Sequence, residues 1–252
     1  MQLNYKKLGE EGTPLIILHG FLGSLDNWFS LGKRFADKHQ VYLLDARNHG
    51  LSPHSDEFSY DAMVEDLKEF IEQEKLENVI LLGHSMGGKI VMKFALDYPS
   101  IVKKLIVVDI APKEYPVHHD EILDALKSLE VSEIQSRKEA DKALAEHISE
   151  FGIRQFLLKN LDRQKDGSFQ WKMNLPVLDE KIEEVGQEIS GYSTVDALFI
   201  RGEKSNYIRE KDENDILEIF PSASFASLPT GHWVHAEDAD GFFEVVSEFL
   251  DS

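Results

Sequence analysis

Short runs of apolar residues recur along the chain, and stretches with a helical period separate them. Six runs stand out: LIIL (15–18), VYLLD (41–45), VILLG (79–83), LIVVDI (105–110), VDALFI (195–200) and SFASL (224–228). Their apolarity is continuous rather than alternating, which predicts strands covered on both faces, as in a parallel sheet. The N-terminal segment LNYKKL alternates more, and we interpret it as an antiparallel edge strand.

Apolar residues at helical spacing predict helices over 61–75, 86–98 and 240–250. Ser59 is placed to cap the first of these helices, and Pro99 ends the second. Because strands and helices alternate along the chain, the pattern indicates a doubly wound α/β fold.

Residues 112–191, called here the insertion, interrupt this alternation of strands and helices. They separate two predicted strands by about 80 residues, whereas a loop between strand and helix has roughly 2–6. The insertion carries helical patterns and two turn signals, which are Ile122, Leu126 and Leu129, then Phe156, Leu157 and Leu161, with KDGS (165–168) and NLP (174–176). We therefore expect a core of residues 1–111 and 192–252, and a helical cap over the sheet edge where α/β folds bind ligands.

The amino-acid composition of the chain limits the kinds of partner that we expect it to bind. The 252 residues include 27 Lys and Arg against 46 Asp and Glu, a formal net charge of −19. Such a surface repels phosphate backbones and anionic lipid, so we expect neither nucleic acid nor membrane as a partner. The chain has no cysteine, which excludes disulfides and thiolate sites. Without an apolar leader or a stretch of about 18 apolar residues, we expect a cytoplasmic protein.

The stretch LLGHSMGGKI (81–90) places Ser85 in a G-x-S-x-G pattern between a predicted strand and a predicted helix. In that context the pattern is typical of a sharp turn that exposes a nucleophilic serine. Gly83 and Gly87 allow the strand and the helix to approach each other without Cβ clashes. The backbone N–H of Met86 then lies at a helix N-terminus, where developing negative charge is stabilised.

A serine hydroxyl needs a base, and we assign this role to His232. It lies in PTGHWVHAED (229–238), after the last predicted strand, in the chain order Ser, acid, His. His235 is the alternative, but Gly231 beside His232 relaxes the turn there. We expect most other histidines to face solvent, including His118, His119 and His147. A second oxyanion donor is expected in LHGFLGS (18–24), from the backbone N–H of Phe21.

These segments resemble the α/β-hydrolase superfamily over essentially the full length of the chain. The resemblance rests on HGF (19–21), DARNHGLS (45–52), Gly83 to Gly87 and Gly231-His232. More narrowly, DARNHGLSPH, VVDIAP, WKMNLPVL and RGEKSNYI look like the YbfF-type esterases. The resemblance implies an α/β-hydrolase fold with a mostly parallel central sheet, flanking helices and a helical cap. It also implies a serine esterase that acts on small acyl esters and, in some members, on acyl-thioesters.

The triad acid departs from the pattern of many superfamily members. They carry an aspartate in a G-x-x-D segment after the next-to-last strand, and this chain has Ser205 at that position. A hydroxyl cannot stabilise an imidazolium as a carboxylate does. Asp109, which ends LIVVD, is our first candidate, in line with the subgroup, and Glu203 and Asp212 remain alternatives. Asp45 and Arg47 are expected to order the adjacent loops.

The sequence therefore predicts a serine carboxylesterase that cleaves small-molecule esters with no metal or organic cofactor. We expect His84, Trp171 and Leu175 to contact the substrate. Two other readings keep the same residues: a non-catalytic module that binds small molecules, and a C–C bond hydrolase or perhydrolase. Haloalkane dehalogenases and epoxide hydrolases would require an aspartate in place of Ser85, so this sequence excludes that chemistry.

Overall fold

All six apolar runs form strands of one seven-stranded sheet. The computed structural model describes residues 1–116 and 120–252. The strands of this sheet are β1 (Tyr5–Leu8), β2 (Pro14–Leu18), β3 (Gln40–Leu44), β4 (Val79–His84), β5 (Val102–Val108), β8 (Ala197–Gly202) and β9 (Ala223–Leu228). Their order across the sheet is β1-β3-β2-β4-β5-β8-β9, so the strand before Ser85 lies at the centre.

The two edge strands differ from the interior. As predicted, β1 is an antiparallel edge strand that pairs with β3 from Tyr5 opposite Leu44 to Leu8 opposite Val41, and the other pairings in the sheet are parallel. β4 is buried throughout, as its continuous apolarity predicts. The same prediction is wrong for β9, which is largely half-exposed because it has a neighbour on one side only.

Three helices outside the insertion match the predicted segments 61–75, 86–98 and 240–250, three others were not predicted, and together they cover both faces of the sheet. They are α1 (Phe29–Phe35), α2 (Tyr60–Gln73), α3 (Met86–Asp97), α9 (Glu213–Ile219), α10 (Val234–Glu237) and α11 (Ala239–Asp251). Ser59 caps α2 by accepting the N–H of Ala62 at 3.2 Å. Buried side chains of α2 and α3 form one core with one face of the sheet, and those of α1 and α11 form the other core.

The insertion is largely helical, but it also contains a hairpin that the pattern does not predict. Its described elements are α4 (Asp120–Lys127), α5 (Arg137–Leu144), α6 (Phe151–Leu158), β6 (Leu161–Arg163), β7 (Phe169–Trp171), α7 (Leu175–Glu180) and α8 (Ile182–Gly186). Leu161 begins a strand and Leu129 lies beyond the end of α4, so both predicted helical positions are wrong. The KDGS turn joins the two hairpin strands, whereas NLP starts α7. The division into core and cap stays a prediction.

Asp45 and Arg47 order loops, as expected. Asp45 follows β3 and accepts hydrogen bonds from the Asn4 side chain at 2.7 Å and from the backbone N–H groups of Leu25 and Leu51. Arg47 forms a two-point ion pair with the buried Asp66 of α2, at 2.7 and 3.0 Å. These contacts hold the loops after β2 and β3 against the core.

Candidate active site

Ser85 occupies the turn that joins the central strand β4 to α3. Its φ and ψ angles of 52° and −117° put it in a region that non-glycine residues rarely adopt, at an expected cost of about 1–3 kcal/mol. The backbone compensates with a hydrogen bond from the Ser85 N–H to the Val108 carbonyl at 3.0 Å. The turn is therefore strained, as the sequence pattern predicts.

The glycines around Ser85 are required by close backbone contacts. A Cβ atom on Gly83 would lie 2.2 Å from the Gly87 carbonyl oxygen, and one on Gly87 would lie 2.5 Å from that of Leu18. Backbone atoms at such distances cannot move aside, so a side chain at position 83 would force α3 away from β4, and one at position 87 would force α3 away from the end of β2.

Asp109 directly follows β5 and reaches the ring of His232. Its Oδ2 atom accepts a hydrogen bond from His232 Nδ1 at 2.8 Å, and its side chain is fully buried. The backbone N–H of Gly202 donates to Oδ1 at 3.1 Å, and the hydroxyl of Ser205 donates to Oδ2. Three donors thus converge on this carboxylate and hold it in place beside the ring of His232.

The other acid positions do not contact His232. Glu203 is exposed, and its backbone N–H donates to the Leu228 carbonyl. Asp212 is buried, but it pairs with Lys113 at 2.6 Å. Ser205, at the position where many relatives carry the acid, supports Asp109 through its hydroxyl group.

The ring and backbone of His232 are held by aromatic neighbours. Tyr207 stacks on the imidazole with ring centroids 3.9 Å apart and an interplanar angle of 19°. His84 Nε2 lies 2.9 Å from the His232 carbonyl oxygen. Burial lowers the pKa of His84, so its ring is neutral, and we assign the proton to Nε2, which donates to that carbonyl.

His235, the alternative base, has a different environment. It is buried and stacks on Trp28 with centroids 4.0 Å apart and an interplanar angle of 12°. Burial lowers its pKa to about 3, so the ring stays neutral at physiological pH. Asp109 contacts His232 instead. Of the other histidines that the structure describes, His54 and His147 are exposed, but His19, His49 and His84 are buried, so the expectation that most face solvent is wrong for these residues. His118 and His119 lie outside the described residues.

A cavity of about 710 Å³ lies between the carboxyl edge of the sheet and the insertion. Apart from the buried Asp109, every site residue predicted in the core lines this cavity. These residues are Phe21, His84, Ser85, Met86 and His232. The nucleophile and base candidates, distant in sequence, thus share one chamber, which is the arrangement that hydrolysis of a bound ester requires.

The two substrate contacts predicted in the insertion stay predictions. Among the described residues that line the cavity, neither Trp171 nor Leu175 is present, because Trp171 lies in the hairpin strand β7 and Leu175 is buried at the start of α7. Side chains that the sequence analysis did not select line the cavity instead, including Ile122, Ile153, Phe156, Leu157, Val185, Tyr207 and Trp233. The helical period of the insertion marked Ile122, Phe156 and Leu157 as apolar positions, but it did not indicate which of them face the sheet.

The loop after β2 carries Phe21 in a tight turn. The N–H of Gly23 donates to the Gly20 carbonyl at 2.9 Å, and Leu22 has a φ angle of 57°. The other predicted oxyanion donor, Met86, is the first residue of α3, so its N–H has no acceptor within the helix.

Two buried histidines hold this loop. The N–H of Ala46 donates to His19 Nε2 at 3.1 Å, and that of Leu22 donates to His49 Nε2 at 3.3 Å. Burial lowers the pKa of both rings, that of His49 to about 3, so both are neutral and can accept these hydrogen bonds.

Lys89 connects α3 to both ends of the insertion. It is fully buried, and its ammonium group donates to the carbonyls of Lys113 at 2.9 Å and Gly186 at 3.2 Å, and also to that of Gln187. Burial lowers the pKa of Lys89 to about 7. A lysine on the otherwise apolar face of α3 was the sequence signal for this contact, and the sequence analysis did not use it.

Within residues 1–116 and 120–252, no group of three or more His, Asp or Glu side chains is arranged to hold a metal ion. Over the same ranges, no helix is both long and apolar enough to cross a membrane. The absence of a cofactor and the cytoplasmic location stay predictions.

Comparison with known proteins agrees with this architecture. The family model described as alpha/beta hydrolase fold matches residues 13–135. Esterase YbfF of Escherichia coli (strain K12) is 37% identical and covers 94% of this chain and 93% of its own length. The mouse protein named sn-1-specific diacylglycerol lipase ABHD11 is 38% identical, over 99% of this chain and 85% of its own. A solved structure of a marine microorganism esterase superposes with a TM-score of 0.96 at 46% identity, over 98% of this chain and 99% of that chain.

The chain belongs to the α/β-hydrolase family. Its relatives are named as esterases and lipases, which supports an enzyme of the carboxylic ester hydrolase class and a resemblance to the YbfF-type esterases.

Proposed function

We propose that this enzyme hydrolyses small acyl esters through Ser85, His232 and Asp109, with an acyl-enzyme intermediate. One observation carries the proposal: the strained Ser85 and the ring of His232 line the same cavity, and that ring is hydrogen-bonded to the buried Asp109 at 2.8 Å. A nucleophile, a base and a carboxylate that orients the base are the three parts that nucleophilic ester cleavage requires.

In the proposed mechanism, His232 takes the proton from the Ser85 hydroxyl as its oxygen attacks the ester carbonyl. The oxygen of the tetrahedral intermediate is bound by the backbone N–H groups of Phe21 and Met86. Asp109 holds the ring through Nδ1, so that Nε2 exchanges the proton. His232 then protonates the leaving alcohol, and a water molecule, activated by the same ring, releases the acid and restores Ser85.

The cavity supports an acyl substrate with an apolar part. The side chains that the insertion contributes to its lining are mostly apolar, such as Ile122, Ile153 and Phe156. Lys113, Glu114 and Arg209 also line it, so the lining has a charged part as well. Acyl-thioesters use the same attack and remain a second substrate class, to be compared with esters of equal acyl length.

The proposal is tested by replacing Ser85 with alanine and assaying a short-chain p-nitrophenyl ester. We expect turnover to fall by about 10⁶-fold, since the nucleophile is lost, and a fluorophosphonate probe to label wild type at Ser85 but not the variant. Retained turnover in the Ser85→Ala variant would exclude the serine mechanism. A wild-type protein that the probe does not label would favour the non-catalytic binding module.

A further inference from the structure

Leu22, next to the proposed oxyanion donor Phe21, has a backbone conformation that leucine avoids. It is the third residue of the turn closed by the Gly23 N–H and the Gly20 carbonyl, and its φ angle is 57°. Turns with a positive φ at this position normally carry glycine or asparagine, and a leucine there costs about 1–2 kcal/mol. Such a conformation persists only when neighbouring groups hold it.

Two hydrogen bonds hold Leu22, and they come from different parts of the chain. Its N–H donates to His49 Nε2 at 3.3 Å, which is a contact within the core. Its carbonyl accepts a hydrogen bond from the Nδ2 atom of Asn160 at 2.7 Å, and Asn160 belongs to the insertion. The bonds about which φ and ψ of Leu22 rotate lie between its N–H and its carbonyl. Anchoring both groups therefore fixes these two angles and the turn that carries Phe21.

Asn160 is itself held rigidly at the junction of α6 and the hairpin. Its N–H donates to the Leu157 carbonyl at 3.0 Å, and its carbonyl accepts the N–H of Lys172 at 2.8 Å. Its side chain is almost fully buried, with a residue exposure of 1%. The amide is therefore presented to Leu22 from a fixed backbone.

One atom of the Asn160 side chain lowers the stability of the fold. The Oδ1 atom of Asn160 is buried and has no hydrogen-bond partner among the described residues, a situation that costs about 1–3 kcal/mol. Rotating the amide would place Oδ1 against the Leu22 carbonyl and lose the existing bond. An apolar residue would avoid this cost, so the presence of an asparagine points to the bond with Leu22.

We propose that Asn160 is a positioning residue for the oxyanion site: by holding the Leu22 carbonyl, the insertion sets the position of the Phe21 N–H. The inference rests on the proposed function, since it assigns Phe21 as a donor to the oxyanion. It gives the insertion a part in the chemical step, in addition to covering the cavity.

The test uses Asn160→Leu, which keeps the number and branching of the side-chain heavy atoms and removes the donor, and Asn160→Asp, which keeps the shape and places an acceptor against the carbonyl. A displacement of about 1 Å in a catalytic group can cost about 100-fold in rate. We therefore expect kcat for a p-nitrophenyl ester to fall by about 10–100-fold, with a much smaller change in KM. The affinity for a trifluoromethyl ketone, which forms a tetrahedral adduct, should fall by the same factor as kcat/KM.

Asn174→Ala is the matched control. Asn174 also ties the insertion to a core loop, through a bond from Nδ2 to Asn48 Oδ1 at 3.1 Å. That loop includes His49, but the bond from the Asn174 N–H to the Asn48 carbonyl at 2.9 Å remains in the alanine variant and continues to hold the loop. Loosening the insertion in this way should leave both kcat and the affinity for the trifluoromethyl ketone close to their wild-type values. The proposal is wrong if folded Asn160→Leu or Asn160→Asp keeps kcat within about threefold of wild type, or if Asn174→Ala loses kcat equally. Failure of the proposed function is recognised separately, by turnover that survives Ser85→Ala.

Discussion

At the scale of single residues, the position of the proposed triad acid is the feature in which this chain departs from many members of its superfamily. Asp109 approaches His232 from the end of β5, and Ser205, at the more usual acid position after β8, donates to the same carboxylate. The proposed acid therefore lies at the end of the neighbouring strand β5, and it contacts the histidine at Nδ1. The contact between a carboxylate and the imidazole is present in either arrangement, because the function of the acid is to orient and stabilise that ring.

This assignment predicts the effect of Asp109→Asn. The amide keeps the shape but loses the charge that stabilises the imidazolium, so we expect kcat to fall by about 10⁴-fold. Ser205→Ala leaves the carboxylate with two of its three donors and should cost only about 10-fold. Steady-state kinetics on one p-nitrophenyl ester compares these variants, with Glu203→Gln and Asp212→Asn as controls at the alternative acids. Near-full activity of Asp109→Asn would show that the acid lies elsewhere.

At the scale of elements, the strand–turn–helix unit around Ser85 depends on how closely β4 and α3 approach each other. The chain brings the Gly87 carbonyl to within 2.2 Å of where a Gly83 side chain would begin. The insertion offers a contrasting glycine: Gly152, near the start of α6, has no atom within 4 Å of an added Cβ. The same substitution thus has opposite consequences at two places in one molecule.

We therefore predict different effects of two Gly→Ala substitutions on stability. Gly83→Ala must push the helix away from the strand, and we expect the free energy of unfolding to fall by about 2–3 kcal/mol, with loss of activity. Gly152→Ala meets no clash and adds helix propensity, so it should change stability by less than about 1 kcal/mol, in the stabilising direction. Urea unfolding followed by far-UV circular dichroism measures both. Equal stabilities of the two variants would contradict the close approach at Gly83.

The elements also show what could be predicted from sequence. Interior strands such as β4 were predicted because burial on both faces requires continuous apolar residues, and Ser85 because its turn requires glycines at fixed positions. The exposure of β9 follows from the order of strands, which no local pattern encodes. The hairpin that begins at Leu161 has three-residue strands, too short for periodicity to reveal. The sequence could not show whether Trp171 faces the cavity, because an apolar residue in the insertion can serve either the cavity or the packing of the insertion itself.

At the scale of the whole molecule, several buried groups must remain neutral for the fold to persist. Burial lowers the pKa of His19 and His84, and lowers those of His49 and His235 to about 3. Each of these rings gains a proton near pH 6.5 when the chain unfolds. The unfolded state therefore binds more protons than the folded state between about pH 3 and pH 6.5, and the stability of the folded state must fall as the pH is lowered through that range.

His235 offers the clearest test of this dependence, because its ring packs on Trp28 and is not part of the proposed triad. Phenylalanine at position 235 can keep the stacking and cannot titrate. Between pH 7 and pH 5, one buried histidine with these pKa values removes about 2 kcal/mol of stability. We expect the wild type to lose about that much more than His235→Phe over this interval, measured as the free energy of unfolding in urea at each pH. Parallel losses in the two proteins would mean that His235 takes up a proton in the folded state as readily as in the unfolded chain.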